Sequence, residues 1–405
     1  MIRYRASWVL PIAGPPIRDG WVAVESGRIA SIGRGSVASS AGARAVDLGA
    51  VAIMPGLVNA HTHLELSYLR GQVPQADAFV DWIRDVIAAR RTRPDAHAVE
   101  IVSATAAAIS EAVASGTALV GDISNTLVSV APIEQSPLAG VVFCELIAFN
   151  PPDADRVVGE ARDRLDGFAP SDRVRLSLAA HAPYSVAPAV FRAIQRDLAR
   201  NPAARCSVHL SESVEEEEFI RTGGGPWRAM LDALGSWNPD WQAPAVSPVQ
   251  FLDDLGFLDN RVLAVHGVQM TPEDLARLKR RRVTLVCCPR SNRRTGAGTP
   301  PIARFYASGV DVALGTDSLA STPDLNLFTE LAAMRSLAPE VPASALLESA
   351  TRRGADALGF GADYGTIEPG KLARLLAIDL RDGGGDVEEY LVSGIQPAQL
   401  RWLQT

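Results

Sequence analysis

Apolar and polar positions follow two different periods along this chain. Over the first fifty residues the alternation is short, as in WVAVES (21–26) and RIASIG (28–33) with Gly and Asp turns between, and it predicts small antiparallel strands. A related pattern returns near the end in GTIEPG (365–370), RLLAIDL (374–380) and EYLVSG (389–394). The two termini are therefore expected to complete one small sheet domain around a large insertion. Within the insertion, eight compact apolar runs alternate with amphipathic helical stretches: IMPGLVNA (53–60), TALVGDIS, GVVFCELIAF, VRLSLAAH, RCSVHL, RVLAVHG, VTLVCCP and VDVALGTD (310–317). Apolar strands separated by helices argue for a parallel sheet with helical crossovers, and a count of eight favours a closed barrel over an open doubly wound sheet. The reading is an α/β chain: a (β/α)8 TIM barrel over residues 55–360, with a small β-sandwich domain formed from both chain termini, 1–54 and 361–405. Residues 222–247, rich in Gly, Trp and Pro, read as a long loop that is a lid or a substrate-facing element.

The chemistry gathers at the carboxyl ends of those strands. Of six histidines, His61 and His63 close the first run, His181 follows the fourth, His209 ends the fifth and His266 the sixth, while Asp317 ends the eighth. In a barrel these ends converge on one rim. Side chains two apart on a strand share a face, so His61 and His63 can grip one ion together. Alone, H-x-H is equally a hydrogen-bonded pair of rim histidines; His209, His266 and Asp317 tip the reading to a metal centre. Glu212, three residues after His209, suits a proton shuttle in the same cavity, whereas the run Glu215 to Glu218 reads as a solvated face or helix start. His97, in RPDAHAVE on a predicted helix, reads as structural.

Composition narrows the partners. The chain has 405 residues, 47% hydrophobic and 21% charged, with a net charge of -7, which favours neither nucleic acid nor an anionic membrane surface. A small-molecule substrate is the expected partner, and a homo-oligomer stays open. Four cysteines, two of them adjacent at Cys287 and Cys288, are too few for a disulfide framework and read as buried small hydrophobes in a reducing cytoplasm. No cleavable leader and no run of membrane-spanning length is expected. Lysine occurs only at Lys279 and Lys371. A second zinc-site signature, H-x-E with P-C-x-x-C, is absent. TGGGP (222–226) lacks the strand and the Lys-Ser/Thr of a phosphate loop and reads as a turn.

Taken in order, PGLVNAHTH, HAPYS, HLSES, VHG, CPRSN, LGTDS and GTIEPGK resemble the amidohydrolase superfamily, specifically its mononuclear aminohydrolase branch of cytosine, guanine, S-adenosylhomocysteine and aminofutalosine deaminases. The likeness spans nearly the whole chain. It implies His61, His63, His209 and Asp317 as ligands of one divalent metal ion, with zinc expected and iron or manganese as alternatives. It further implies Glu212 as the acid that protonates a ring nitrogen, His266 and Asp317 as partners of the attacking water, and His181 as a substrate contact. GKLARLL departs from the family at Arg374, usually an acidic position, which puts a sheet-domain contact in doubt.

HTHLELS and FIRTGGGPW look most like aminofutalosine deaminase-type proteins, whose substrate is an adenine nucleoside bearing a benzoate. On that likeness Glu65 is expected to bond a ribose hydroxyl or the purine edge, with a rim salt bridge as its other reading. Arg290 in CPRSN is expected to pair with the benzoate, ahead of Arg70 and Arg293, and Asn292 to contact the substrate beside it. The alternatives are another deaminase or a triazine chlorohydrolase of the branch, a cyclic amide hydrolase, and a catalytically silent scaffold.

Overall fold

A computed structural model of the chain describes residues 1–35, 44–169, 171–380 and 385–404. Strands β1 (Ile2–Val9), β2 (Ile17–Glu25), β3 (Arg28–Arg34), β4 (Arg44–Asp47) and β5 (Val51–Pro55) open it. Eight more follow, each trailed by helices: β6 (Leu57–Thr62), β7 (Thr117–Ser124), β8 (Ala139–Leu146), β9 (Val174–Ala180), β10 (Cys206–Leu210), β11 (Val262–His266), β12 (Thr284–Cys287) and β13 (Asp311–Leu314). β14 (Leu375–Asp379) and β15 (Leu400–Trp402) finish the chain.

The terminal strands form one seven-stranded sheet in the order β15-β14-β5-β1-β2-β3, with β4 paired to β1. The pairs β1–β2 and β2–β3 are antiparallel as expected, but β4 and β5 run parallel to β1. Of the three strand candidates near the end, only RLLAIDL holds. EYLVSG lies in the helix Val387–Leu391 and the bend after it, and GTIEPG makes no strand. Arg374 stacks its guanidinium over the Trp402 ring, 4.7 Å from the centroid.

The first barrel candidate, IMPGLVNA, is cut at Gly56. Val51–Pro55 before it pairs with β14 in the terminal sheet, whereas Leu57–Thr62 pairs with β7 in the barrel. A Cβ at Gly56 would stand 2.6 Å from that of Ala118, so the crossover between sheets needs glycine.

β6–β9 and β10–β13 form two four-stranded parallel sheets. They meet where His209 donates its N–H to the carbonyl of His181 (2.8 Å) and where Thr62 bridges Asp317 in parallel sense, which closes the ring. Because helices cover the outside and side chains fill the inside, β6, β7, β8, β10 and β11 are buried at every position. Alternation sorts their residues. Ala139, Val141, Phe143, Leu263, Val265 and Ala313 belong to one apolar cluster with Val58, and Val142, Cys144, Leu178, Val208, Leu285 and Leu314 to the other.

Residues 222–247 are not one structureless loop. The helix Val214–Thr222 ends at left-handed Gly223, a second helix runs Gly225–Ala233, and only the remainder is irregular. Trp241 stacks on Phe219 (4.7 Å between centroids) and Trp237 on Phe149 (5.8 Å), so this segment is packed in place. His97 sits in an exposed turn before the helix Val99–Ala114, not on a helix. Among the described residues no helix is long and apolar enough to cross a membrane, and all four cysteines are buried and unpaired.

Candidate active site

The ring closure positions the first ligands. The N–H groups of Thr316 and Asp317 both donate to the carbonyl of His61, at 3.1 and 3.0 Å, and Thr62 Oγ1 donates to the carbonyl of Asp317 at 3.1 Å. Gly315 permits this approach, since a Cβ there would lie 2.8 Å from the His61 oxygen and 3.0 Å from Cys288 Sγ. His61 Nε2 then stands 3.2 Å from His63 Nε2, and Asp317 Oδ1 stands 3.8 and 3.5 Å from those two nitrogens. The His209 and His266 rings complete the group, with centroids 5.0 and 5.6 Å from that of His61.

A metal ion is consistent with this donor set. Donors held tetrahedrally at zinc-like bond lengths stand about 3.3–3.6 Å apart, close to the spacing seen here. His61 offers ligand atoms within 4.8 Å of both pairs, His63 with Asp317 and His209 with His266, so it is common to two adjoining three-residue groups. Outer partners orient them. Asp317 accepts from Ser291 Oγ (2.5 Å) and from the N–H of Ser318 (2.8 Å). His209 Nδ1 donates to the carbonyl of His181 (2.9 Å), which leaves Nε2 as its ligand atom.

Two site residues lie in left-handed backbone, His266 at φ 79° and Asp317 at φ 61°. Such non-glycine conformations cost on the order of 1–3 kcal/mol each and persist where surrounding structure enforces them. At His266 the reason is legible. Leu263 and Val265 face the barrel interior, so plain alternation would turn His266 outward, and the reversed backbone leaves its ring stacked on His209 at 5.3 Å.

Burial sets the charges. It holds His63, His181 and His209 down to about 4 and lowers His61 and His266 well below the usual imidazole range, so all five are neutral near pH 7. Burial also raises Asp317, and it raises Glu212 well above the usual carboxylate range with Asp317 adding repulsion. Glu212 is therefore a buried acid that keeps its proton, 3.5 Å from His266 Nε2. Its backbone is held by Glu216, whose two oxygens accept the N–H groups of Ser211 (3.0 Å) and Glu212 (2.8 Å). The glutamate run is thus no solvated face at its start: Glu215 and Glu216 are buried, and burial pushes Glu216 up to about 8.

A cavity of about 370 Å³ opens over the group, lined by His63, His181, His209, Glu212, His266 and Asp317. Three residues expected at the substrate do not reach it. Glu65 lies on the short helix Leu64–Leu69, where the two-residue period of a strand no longer applies, and it is bound to Ser124 Oγ (2.6 Å), Thr126 and Arg90. Its rim salt bridge is the reading that stands. Arg290 is turned away and held by Glu330 (2.6 Å) and Asp324 (2.9 Å), so it is not free to clamp a benzoate. Asn292 is fully buried and donates to His266 Nδ1 (2.9 Å), which puts the imidazole proton on Nε2 rather than contacting substrate. The competing Arg70 pairs with Glu111, and exposed Arg293 lines no part of the cavity.

Other residues take the walls. Tyr184 and Trp227 stack at 3.7 Å and line the cavity with Phe79, Trp82 and Phe149. Arg90 is the one guanidinium in that lining. Glu145, an acid within the apolar run GVVFCELIAF, also lines it, and the strand-end rule that singled out the histidines would have found it.

The barrel and its buried His/Asp group define a metal-dependent hydrolase with its site at the carboxyl rim. Residues 52–398 match the Amidohydrolase family, and the chain belongs to that family. It is 34% identical to the aminodeoxyfutalosine deaminase of Deinococcus radiodurans over 319 residues, which cover 76% of this chain and 73% of that protein. It is 32% identical to a 5-methylthioadenosine/S-adenosylhomocysteine deaminase of Nitratidesulfovibrio vulgaris over 382 residues, covering 90% and 80%. Among solved structures, a zinc-bound adenosine deaminase from Xanthomonas campestris superposes with a TM-score of 0.82 at 28% identity, covering 98% of this chain and 90% of that one.

Proposed function

We propose that the protein is a zinc-dependent deaminase that replaces the exocyclic amine of an adenine nucleoside, 6-aminodeoxyfutalosine foremost, and releases ammonia. The observation that carries this reading is buried Glu212, 3.5 Å from His266 Nε2, in one cavity with His63, His209 and Asp317.

His61, His63, His209 and Asp317 would hold the ion. When bound, it supplies the Lewis acidity that brings the pKa of water towards roughly 7. Asp317 takes the proton of the attacking water, its carboxylate oriented by Ser291 Oγ and the N–H of Ser318. His266, with its proton on Nε2, donates to the incoming oxygen. Glu212 delivers its proton to the ring nitrogen beside the reacting carbon, because an aromatic amidine accepts a nucleophile only if the displaced electron pair is neutralised. The amine leaves as ammonia with the proton stored on Asp317, and the new hydroxyl returns a proton to Glu212. The stacked Tyr184 and Trp227 offer an apolar wall to a flat base.

A second reading, an adenine nucleoside with an alkylthio group at its 5′ carbon, is favoured by the apolar cavity and by Arg290 being engaged elsewhere. The test is ammonia release from zinc-loaded protein with 6-aminodeoxyfutalosine, 5′-methylthioadenosine, S-adenosylhomocysteine, adenosine, guanine and pterins. Turnover of adenine nucleosides alone is expected, with kcat falling at least about 100-fold in Glu212→Gln. No ammonia from any adenine nucleoside would defeat the proposal, and the rank of kcat/KM decides between the two substrates.

A further inference from the structure

At the end of the barrel opposite the histidines, two positive charges stand together without an acid. Arg175 is the second residue of β9 and Arg205 directly precedes β10, so both lie at the amino ends of adjacent strands. Arg205 Nε donates to the carbonyl of Ala357 at 3.1 Å, and its Nη1 donates to those of Ala203 (3.1 Å) and Ala204 (3.3 Å). Arg175 Nη1 donates to the carbonyl of Gly359 at 2.7 Å, and its guanidinium lies 3.8 Å from the centroid of the Phe360 ring. A Cβ at Gly359 would stand 3.3 Å from Arg205 Nη2 and 3.4 Å from Arg175 Nη1, so the two guanidinium groups flank one point.

Every acceptor they use among the described residues is a neutral main-chain carbonyl, and Arg205 Nη2 and Arg175 Nη2 have none. Both arginines line a pocket of about 450 Å³. Its one carboxylate, Asp166, faces Arg162 at 3.9 Å, and neighbouring Arg261 is already paired with Asp259 at 2.6 Å. Burial lowers the pKa of Arg205, and the charges of Arg175 and Arg261 lower it further. Guanidinium groups withdrawn from water ordinarily meet a carboxylate or a phosphate, whose oxygens match their fork of N–H donors. An anion in this pocket would relieve the repulsion and use the idle donors.

We propose that the pocket between Arg175 and Arg205 is a binding site for a tetrahedral oxyanion of the phosphate type, free or as a phosphate monoester. The site is independent of the reaction at the other end of the barrel. The rival reading is a structural plug, in which the carbonyls of Ala357 and Gly359 alone account for the two arginines.

The test is calorimetric titration with inorganic phosphate and, separately, ribose 5-phosphate, at constant ionic strength in chloride. It is run on zinc-loaded and on chelated protein, because phosphate bound at the metal would disappear with the ion. One saturable site that survives chelation is expected, and the tighter of the two probes names the source of the anion. Affinity should fall at least about tenfold in Arg205→Gln, the cost of losing a charged hydrogen-bond donor. It should fall similarly in Ala203→Glu, which sets a carboxylate at an exposed position on the pocket lining and leaves both arginines in place. Arg261→Gln removes the same charge from outside the pocket and should leave affinity unchanged. A cooperative melt in chloride checks the fold of each variant, and Ala203→Glu decides the matter if Arg205→Gln does not fold. Absence of binding by either probe overturns the proposal, as does binding that is lost on chelation or weakened equally in Arg261→Gln.

Discussion

At Gly315 the chain passes His61 so closely that one added methyl would meet its carbonyl oxygen at 2.8 Å. The two N–H bonds that draw Asp317 to the same carbonyl depend on that closeness. Gly315→Ala is expected to displace the Asp317 carboxylate and weaken metal binding by about 10- to 100-fold, the range for losing an orienting partner, read by competition with a chelator. An unchanged affinity would mean that the backbone contact does not set the ligand. Individual residues were unevenly legible. His61, His63, His181, His209, His266, Glu212 and Asp317 stand together as their strand-end positions predicted. Glu65, Arg290 and Asn292 misled, because residue type and place in the chain say nothing of competing partners: Glu330 and Asp324 for Arg290, Ser124 and Thr126 for Glu65, and His266 for Asn292.

At the scale of elements, compact apolar runs separated by helices located all eight barrel strands but not every face. On β6, Val58 belongs to the interior cluster with Ala60, so strict alternation would send His61 outward; the pairing with β7 shifts register between Asn59 and Thr62, and the shift reverses the face. The helix Val214–Thr222 shows a similar dependence. Ser213 caps it by accepting from the N–H of Glu216, while Glu216 reaches back to the two N–H groups ahead of Glu212 and at Glu212 itself. Glu216→Gln sets an amide N–H₂ against one of those donors, so kcat is expected to fall at least about tenfold with the metal retained. Stability gives an independent check. Because burial raises Glu216 to about 8 in the folded protein, the folded state holds its proton more tightly than the unfolded one. Its contribution is fully present below about pH 4.5 and is lost as pH rises towards 8. The stability gap between wild type and Glu216→Gln should therefore narrow between about pH 5 and pH 9 in denaturant titrations, and a gap that widens would contradict the assignment.

On the scale of the whole molecule, five imidazoles and two carboxyls at the ends of five strands are packed against one another. Without a cation, such a group loses hydration and gains few partners, and His61 Nδ1 has none among the described residues. Binding to the folded state alone stabilises by about 4 kcal/mol at a thousandfold excess over Kd. Chelation is therefore expected to lower Tm by several degrees, and added zinc to restore it; an identical Tm in both states would argue against a resident ion. Barrel class, strand order, the terminal sheet and the histidine cluster were all readable in one dimension, because the period of burial and the position of a strand end are properties of local sequence. Which carboxylate oxygen was left without a donor, which arginine was already engaged and which backbone reversed its face depended on partners from other elements of the fold. Those outcomes turn on ring closure and on competition for hydrogen bonds, and neither exists until the strands have met.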